Sequence, residues 1–201
     1  CVGAPAGFPV QFAHGGGQTR HAWKGAAKAL ASEGYFCTAL DLRGHGESDW
    51  AADGDYSLEA IARDLIDAAG HLVVGGTRPH IVGASLGGLA ATVAAGVLAR
   101  EAFASVTLVD ITPNMDAAGV AKVVGFMGAH IEEGFESLEQ AADVIAKYLP
   151  HRPRPKDLDG LRKNLRQGED GRWRRHWDPA FIRGVMRRPA DARMGDLEQA
   201  V

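Results

Sequence analysis

Apolar and polar positions follow two recurring patterns along the first 113 residues. Short apolar runs that end at glycine or polar turns predict strands, at residues 8–13, 35–40, 79–84 and 104–110. Between them, apolar residues at helical spacing predict helices, at residues 20–33, 57–72 and 85–99. Gly34 follows the first helix as a C-cap, and Ser57 opens the second as an N-cap. Strands that alternate with helices predict an α/β fold, a central parallel sheet with helices on both faces.

The pattern changes after residue 113. Helical spacing continues at residues 120–127, 138–149 and 158–165, while prolines interrupt the chain near residue 150, and no strand is predicted between residues 115 and 188. This predicts a core at 1–113, a helical cap over the sheet at 114–190 and the start of a return to the core at 191–201.

Composition and charge narrow the class of protein. The chain has 201 residues, 46% of them hydrophobic and 23% charged, as in a globular domain. No apolar run approaches the roughly 20 residues that span a bilayer. The net charge of −3 combines an acidic first part with a basic stretch after residue 150. Without aromatic stacking platforms beside it, that stretch favours a solvated helical face over nucleic-acid binding.

The two cysteines add little chemistry. Cys1 and Cys37 give neither a disulfide framework nor a metal-ligand spacing. Cys37 lies among apolar residues and is predicted to be a buried thiol, which fits a reducing cytoplasm. We therefore expect a cytoplasmic protein without a metal and without a membrane or nucleic-acid partner.

The sharpest chemical signal is Gly83-Ala84-Ser85-Leu86-Gly87, a G-x-S-x-G motif between a predicted strand and a predicted helix. Such a turn strains the serine backbone, and the two glycines leave room for the strand and the helix. The hydroxyl then stands at the carboxyl end of the sheet, where open α/β sheets bind ligands. The motif predicts that Ser85 is a nucleophile. The alternative is a glycine-rich turn with an incidental serine.

A second signal is His14-Gly15-Gly16-Gly17-Gln18, directly after the first strand. An acyl-transfer intermediate needs two donors aimed at its oxyanion. We predict the N–H groups of Leu86 and Gly16 in this role, with Gly17 against the substrate. His14 is expected to brace the loop and not to transfer protons.

These motifs resemble the α/β-hydrolase superfamily, and three further features of the sequence add to the resemblance. They are Trp23, Asp41-Leu42-Arg43-Gly44-His45-Gly46-Glu47-Ser48-Asp49 and Leu108-Val109-Asp110-Ile111-Thr112-Pro113. The nearest branch is the capped bacterial esterase and cofactor-free peroxidase group. The resemblance implies adjacent strands, with 35–40, 8–13, 79–84 and 104–110 in that order across the sheet. It also implies that His45 is structural.

The resemblance places the triad acid after a strand beyond the cap and the histidine after the last strand. The later histidines, His130, His151 and His176, lie in cap-like sequence and follow no strand. Asp110 ends a strand and is an alternative acid, or else it caps the hinge before Pro113. Since the chain starts at Cys1 and strands are missing at both ends, we expect a chain truncated at both ends, with the triad acid and histidine outside it.

The leading hypothesis is a serine ester hydrolase, similar to carboxylesterases, that acts on a small-molecule ester without a cofactor. Trp173 and Trp177 are predicted to line an apolar substrate pocket under the cap, with ordinary packing as the alternative. The other functional hypotheses are a cofactor-free perhydrolase on the same serine and a non-catalytic ligand-binding protein on a hydrolase scaffold.

Overall fold

The structure, a computed structural model, describes residues 1–73, 75–112, 115–151, 153–154 and 157–187, without the side chains of residues 185–187. Its main sheet has four parallel strands: β1 (Phe8–Ala13), β2 (Tyr35–Leu40), β3 (His80–Ala84) and β4 (Ser105–Val109). They lie in the order β2-β1-β3-β4. The predicted strands and their order across the sheet are therefore confirmed.

Three helices connect these strands: α1 (Lys24–Ser32), α2 (Leu58–Gly70) and α3 (Leu86–Val93). The predicted first helix is divided, because a 3-10 turn at Arg20–Trp23 precedes α1. The predicted third helix becomes π-helical at Ala94–Leu98. Ser57 caps α2 as predicted, with its hydroxyl accepting the Ala60 N–H at 3.2 Å, a type of contact worth about 1 kcal/mol.

The two faces of the sheet are covered by different helices. On one face, Ile61 and Leu65 of α2 and Ala90 of α3 pack with Ile81. On the other, Ala27 of α1 packs with Val10, Phe12 and the buried thiol of Cys37. Fully burying an aliphatic or aromatic side chain of this size contributes about 1.5–3 kcal/mol. Both faces of the sheet are thus covered, and the carboxyl ends of its four parallel strands all lie at the same end of the sheet.

Residues 115–187 form the segment that we call the helical segment. It contains α4 (Ala117–Gly128), α5 (Leu138–Tyr148), a 3-10 turn at Asp159–Lys163, β5 (Leu165–Gln167), β6 (Trp173–Arg175) and α6 (Pro179–Arg187). No helix among the described residues is long and apolar enough to cross a bilayer. Residues 188–201, which include the predicted return to the core, lie outside the described residues.

The prediction that this segment lacks strands was wrong. β5 and β6 pair antiparallel, and the predicted helix at 158–165 is only a 3-10 turn. The hairpin closes through Gly168 and Gly171, with an N–H···O bond of 2.9 Å from Gly168 to Arg172. Strands of three residues are too short to show an alternating pattern, so periodicity does not predict them.

Short contacts fix the helical segment to the loop after β2. The Asp178 N–H donates to the Gly44 carbonyl at 2.9 Å, and the Tyr56 hydroxyl donates to Asp178 Oδ2 at 2.5 Å. Burial and this hydrogen bond raise the pKa of Tyr56 to about 12. Asp178 also caps α6, accepting the Ala180 N–H at 2.8 Å, with Pro179 at the first helical position as helices prefer.

Candidate active site

Ser85 lies in the turn between β3 and α3, with φ 46° and ψ −116°. A positive φ at a non-glycine residue is uncommon and costs about 1–3 kcal/mol. Close packing of β3 against α3 holds this backbone conformation. The two elements approach so closely that a Cβ added to Gly83 would lie 2.5 Å from the Gly87 carbonyl oxygen. The Ser85 N–H also donates to the Val109 carbonyl of β4 at 3.3 Å. The strained strand–turn–helix geometry predicted from the motif is present.

Ser85 is exposed and lies at the carboxyl ends of the strands, directly after β3. Within the described part of the chain, its hydroxyl makes no hydrogen bond. It faces the glycine loop, which we define as residues 15–18, since a Cβ added to Gly15 would lie 3.3 Å from Ser85 Cβ. The hydroxyl and this loop therefore meet at the start of α3, whose positive dipole end favours negative charge.

Three of the four N–H groups in the glycine loop are engaged. Gly15 donates to Gln18 Oε1 at 3.1 Å, Gly17 donates to His45 Nε2 at 3.1 Å, and Gln18 donates to the Gly15 carbonyl at 3.1 Å. The Gly16 N–H has no acceptor among the described residues. Leu86, at the first position of α3, has no intrahelical acceptor either. The two N–H groups predicted as oxyanion donors are thus both without an acceptor within the described part of the chain.

Two buried histidines tie the glycine loop to the polar loop, which we define as residues 41–49. His14 donates from Nδ1 to the Gly15 carbonyl at 2.8 Å and accepts the Leu42 N–H on Nε2 at 3.0 Å. His45 donates from Nδ1 to the Arg43 carbonyl at 3.0 Å and accepts from Gly17 on Nε2. A backbone N–H can only donate, so the Nε2 atom that accepts it carries no proton. Both rings are therefore assigned the tautomer with the proton on Nδ1.

A third histidine comes from the helical segment. His176 Nδ1 accepts the Gly46 N–H at 2.7 Å, so its proton lies on Nε2, which is buried and forms no hydrogen bond of standard geometry within the described residues. Its ring centroid lies 6.1 Å from that of His45. The sequence places His176 in cap-like sequence, and because Gly46 lies 130 residues away, no local pattern predicts the bond between them.

Burial keeps these three imidazoles neutral. It lowers the pKa of His14, of His45 and of His176 to about 4 in each case. Neighbouring imidazoles lower these pKa values further, and the Asp41 carboxylate opposes the shift at all three rings. Arg166 adds to the lowering of the His176 pKa. A neutral histidine whose acceptor nitrogen already binds a backbone N–H is a poor proton acceptor for Ser85.

These pKa values predict a fold that weakens as the pH falls. In an unfolded chain each histidine has a pKa of about 6.5, so between about pH 6.5 and pH 4 the unfolded state binds more protons than the folded state. The free energy of unfolding should therefore decrease through this window, by at most about 1.4 kcal/mol per pH unit for each histidine. Urea unfolding at several pH values from about 7 to 5 measures this slope, above the range in which carboxylates titrate.

His176→Asn is the matched control for this slope. Asparagine retains an oxygen near the position of Nδ1 that can accept the Gly46 N–H, while the titrating group is removed. The variant should show a shallower slope than the wild-type protein. A free energy of unfolding that stays constant from about pH 7 to 5 in the wild-type protein would contradict the prediction.

Asp41 anchors the polar loop. Burial alone would raise the pKa of Asp41, but hydrogen bonds from the N–H groups of Arg20 and Glu47 and the charge of Arg20 hold it below its usual value. The Arg20 N–H donates to Oδ1 at 2.6 Å, and its guanidinium pairs with Oδ2. Ser48 Oγ donates to the Asp41 carbonyl at 2.7 Å. These contacts hold the polar loop against the 3-10 turn at Arg20–Trp23.

Apolar side chains of the helical segment cover the glycine loop. A Cβ added to Gly17, which has φ 76°, would lie 2.7 Å from the Trp177 ring, and one added to Gly16 would lie 3.4 Å from both Met127 and Phe181. Trp177 is 2% exposed. Phe181 was not singled out from the sequence, although α6 places it beside Trp177 and Met127 in one buried cluster.

The two predicted substrate tryptophans lie in different clusters. Trp173 packs with Phe135, Leu138 and Leu165, and the Arg162 guanidinium lies 4.8 Å from its ring centroid. Trp177 alone of the two contacts the glycine loop.

Asp110 follows β4 at φ 52°. The register pairs Ala84 with Val109, so Ser85 and Asp110 end neighbouring strands. The Asp110 side chain is exposed and forms no ion pair within the described residues. The alternative role of Asp110, capping the hinge before Pro113, is a prediction about a position that borders residues outside the described part of the chain.

None of the later histidines bonds to Ser85 within the described chain. His130 pairs with Glu133 at 2.8 Å, His151 is exposed, and His176 is bonded to Gly46. The described residues also contain no group of three His, Cys, Asp or Glu side chains that could hold a metal ion.

A sheet in the order β2-β1-β3-β4, with a serine on a strained turn after β3, defines the α/β-hydrolase fold. The family profile described as alpha/beta hydrolase fold matches residues 9–165. The chain belongs to this family.

Esterase Rv0045c of Mycobacterium tuberculosis is 33% identical to this chain over 168 residues, which are 82% of this chain and 54% of that protein. Its solved structure matches with a TM-score of 0.63 at 30% identity, covering 88% of this chain and 60% of that one.

The rice (Oryza sativa) protein named probable esterase PIR7A is 35% identical over 122 residues, 61% of this chain and 43% of that protein. The chain thus spans about half the length of the curated relatives it matches. An alpha/beta hydrolase from Novosphingobium aromaticivorans has a TM-score of 0.78 at 22% identity, over 99% of this chain and 70% of that one. At this identity the likeness concerns the fold.

Proposed function

We propose that this chain carries the nucleophile and the oxyanion hole of a serine ester hydrolase. The observation that carries the proposal is the position of Ser85, which stands on a strained turn at φ 46° between the unengaged N–H groups of Gly16 and Leu86. Two relatives that are 33% and 35% identical to this chain over the aligned residues are named an esterase and a probable esterase, which supports the same class of substrate.

In the proposed reaction, Ser85 Oγ attacks the carbonyl carbon of an ester and forms a tetrahedral intermediate. The oxyanion accepts hydrogen bonds from Gly16 and Leu86, each worth about 3 kcal/mol of barrier. The intermediate collapses by breaking its bond to the alcohol, which leaves with a proton. Water then attacks the acyl-serine, releasing the acid and restoring Ser85.

The proton transfers need a base that His14, His45 and His176 do not provide, because each commits its unprotonated nitrogen to a backbone N–H. We assign this step to a histidine–acid pair elsewhere in the whole protein. Asp110 is the alternative acid, since it ends the strand next to Ser85.

The helical segment serves as a cap in this proposal, and its apolar side chains would meet the substrate. Trp177 lies against Gly17, and Met127 and Phe181 lie against Gly16, directly beside the proposed oxyanion site. These surroundings favour an uncharged ester with an apolar acyl group.

The proposal is tested on the whole protein with nitrophenyl esters of graded acyl length and with a fluorophosphonate that labels activated serines. We expect ester hydrolysis and a label on the peptide that contains Ser85. Ser32→Ala is the matched control, because Ser32 is exposed at the end of α1 and bonds only to its own helix. A label on another residue, or labelling that survives Ser85→Ala, would contradict the proposal.

A further inference from the structure

We infer that His45 is a positioning residue for the oxyanion hole: it sets the direction of the Gly16 N–H by holding the next peptide of the glycine loop. The inference rests on the proposed function and extends it to a residue of the polar loop that bonds to Gly17.

The glycine loop is a β-turn that closes with the bond from the Gln18 N–H to the Gly15 carbonyl. Gly17 occupies its third position at φ 76°, as in a type II turn. Type I and type II turns differ mainly in the orientation of the central peptide, here the one between Gly16 and Gly17. Since neither residue has a side chain to oppose the flip, the turn itself holds this peptide weakly.

Histidines bind the peptides on both sides of Gly16. The Gly15 carbonyl accepts from His14 Nδ1 at 2.8 Å, and the N–H of Gly16 belongs to the same planar peptide and points the opposite way. The next peptide presents the Gly17 N–H, which His45 Nε2 accepts at 3.1 Å. With both planes fixed, the Gly16 N–H is aimed at one place.

His45 is itself held firmly. Its Nδ1 is bonded to the Arg43 carbonyl, its ring is fully buried, and the Phe181 ring packs edge-on at 4.9 Å between centroids. The neighbouring residues Gly44 and Gly46 are bonded to Asp178 and His176 of the helical segment. A support of this rigidity can keep a donor within the tight tolerance that catalysis needs.

The test uses two substitutions that distinguish the hydrogen bond of His45 Nδ1 from that of Nε2. In His45→Asn, the amide can still reach the Arg43 carbonyl, but it ends short of Gly17. In His45→Gln, Oε1 reaches close to the position of Nε2 and can accept the Gly17 N–H. The two variants are similar in polarity, so their difference reports the bond to Gly17.

We expect His45→Asn in the whole protein to lower kcat for a nitrophenyl ester about 10- to 100-fold, less than the loss of an oxyanion donor outright. KM should change less than about 3-fold, because the bound ester carries no oxyanion before Ser85 attacks it. Affinity for a trifluoromethyl ketone, which forms an oxyanion on the serine, should fall in parallel with kcat. His45→Gln should restore most of both.

Unchanged kcat in folded His45→Asn, or a rise in KM alone, overturns the role of His45 while Ser85→Ala still abolishes activity. Activity that survives Ser85→Ala overturns the proposed function and the role together. If His45→Asn does not fold, His45→Gln decides the matter. Retained affinity for the ketone supports the role, and a loss greater than about tenfold in a folded protein overturns it.

Discussion

Replacing Ser85 by alanine is expected to lower kcat for ester hydrolysis by up to about 10⁶-fold. The hydroxyl is the group that attacks the ester carbonyl in the proposed mechanism, and alanine offers no substitute. Residual catalysis would come from the oxyanion donors and from substrate binding. Because the hydroxyl has no hydrogen-bond partner within the described residues, the loss of activity should come without a loss of stability.

Ser85→Gly sharpens the same experiment. The wild-type φ of 46° is strained for any residue with a Cβ, and glycine relieves that strain. This variant should be as inactive as Ser85→Ala but more stable to urea by about 1 kcal/mol. Parallel measurement of kcat and urea midpoint checks both effects. Full activity in either variant would exclude Ser85 as the nucleophile.

The second large effect is expected at Gly87, in the first turn of α3. A Cβ there would lie 2.5 Å from the Ala13 carbonyl oxygen and 2.7 Å from that of His14. Both are backbone atoms of the adjoining strand and loop, so no flexible side chain can move aside. Gly87→Ala should therefore destabilise the protein by about 3 kcal/mol or more, measured by urea or thermal unfolding.

Gly25→Ala in α1 is the matched control. No heavy atom lies within 4 Å of a Cβ added there, and the helical backbone suits alanine, which should stabilise the protein by about 0.5–1 kcal/mol. A Gly87→Ala variant that unfolds at the wild-type midpoint would show that α3 can move away from β1 at little cost.

Local patterns in the sequence predicted the elements that local forces determine. β1 to β4 follow from apolar runs, the start of α2 from the Ser57 cap, and the turn at Ser85 from the spacing of Gly83 and Gly87. The prediction that the Gly16 N–H is an oxyanion donor also came from the sequence, from a His-Gly-Gly loop that follows the first strand and precedes the serine turn.

Contacts between distant parts of the chain could not be predicted in this way. The bond from Gly46 to His176 joins residues 130 positions apart, and the one from Tyr56 to Asp178 spans 122. Both depend on how the helical segment docks, which periodicity does not encode. For the same reason, the sequence could not show that Trp177 reaches the glycine loop while Trp173 packs in a separate cluster.

The packing of Trp177 also gives the protein an internal optical probe. Its indole is buried against Gly17, with the Arg175 guanidinium 4.9 Å from the ring centroid and the His176 ring perpendicular to it at 5.6 Å. Trp50, by contrast, is 55% exposed, so its indole is in contact with water. Because a protonated imidazole quenches a nearby indole, the emission of Trp177 should depend on the charge of His176 and on the separation of the helical segment from the glycine loop.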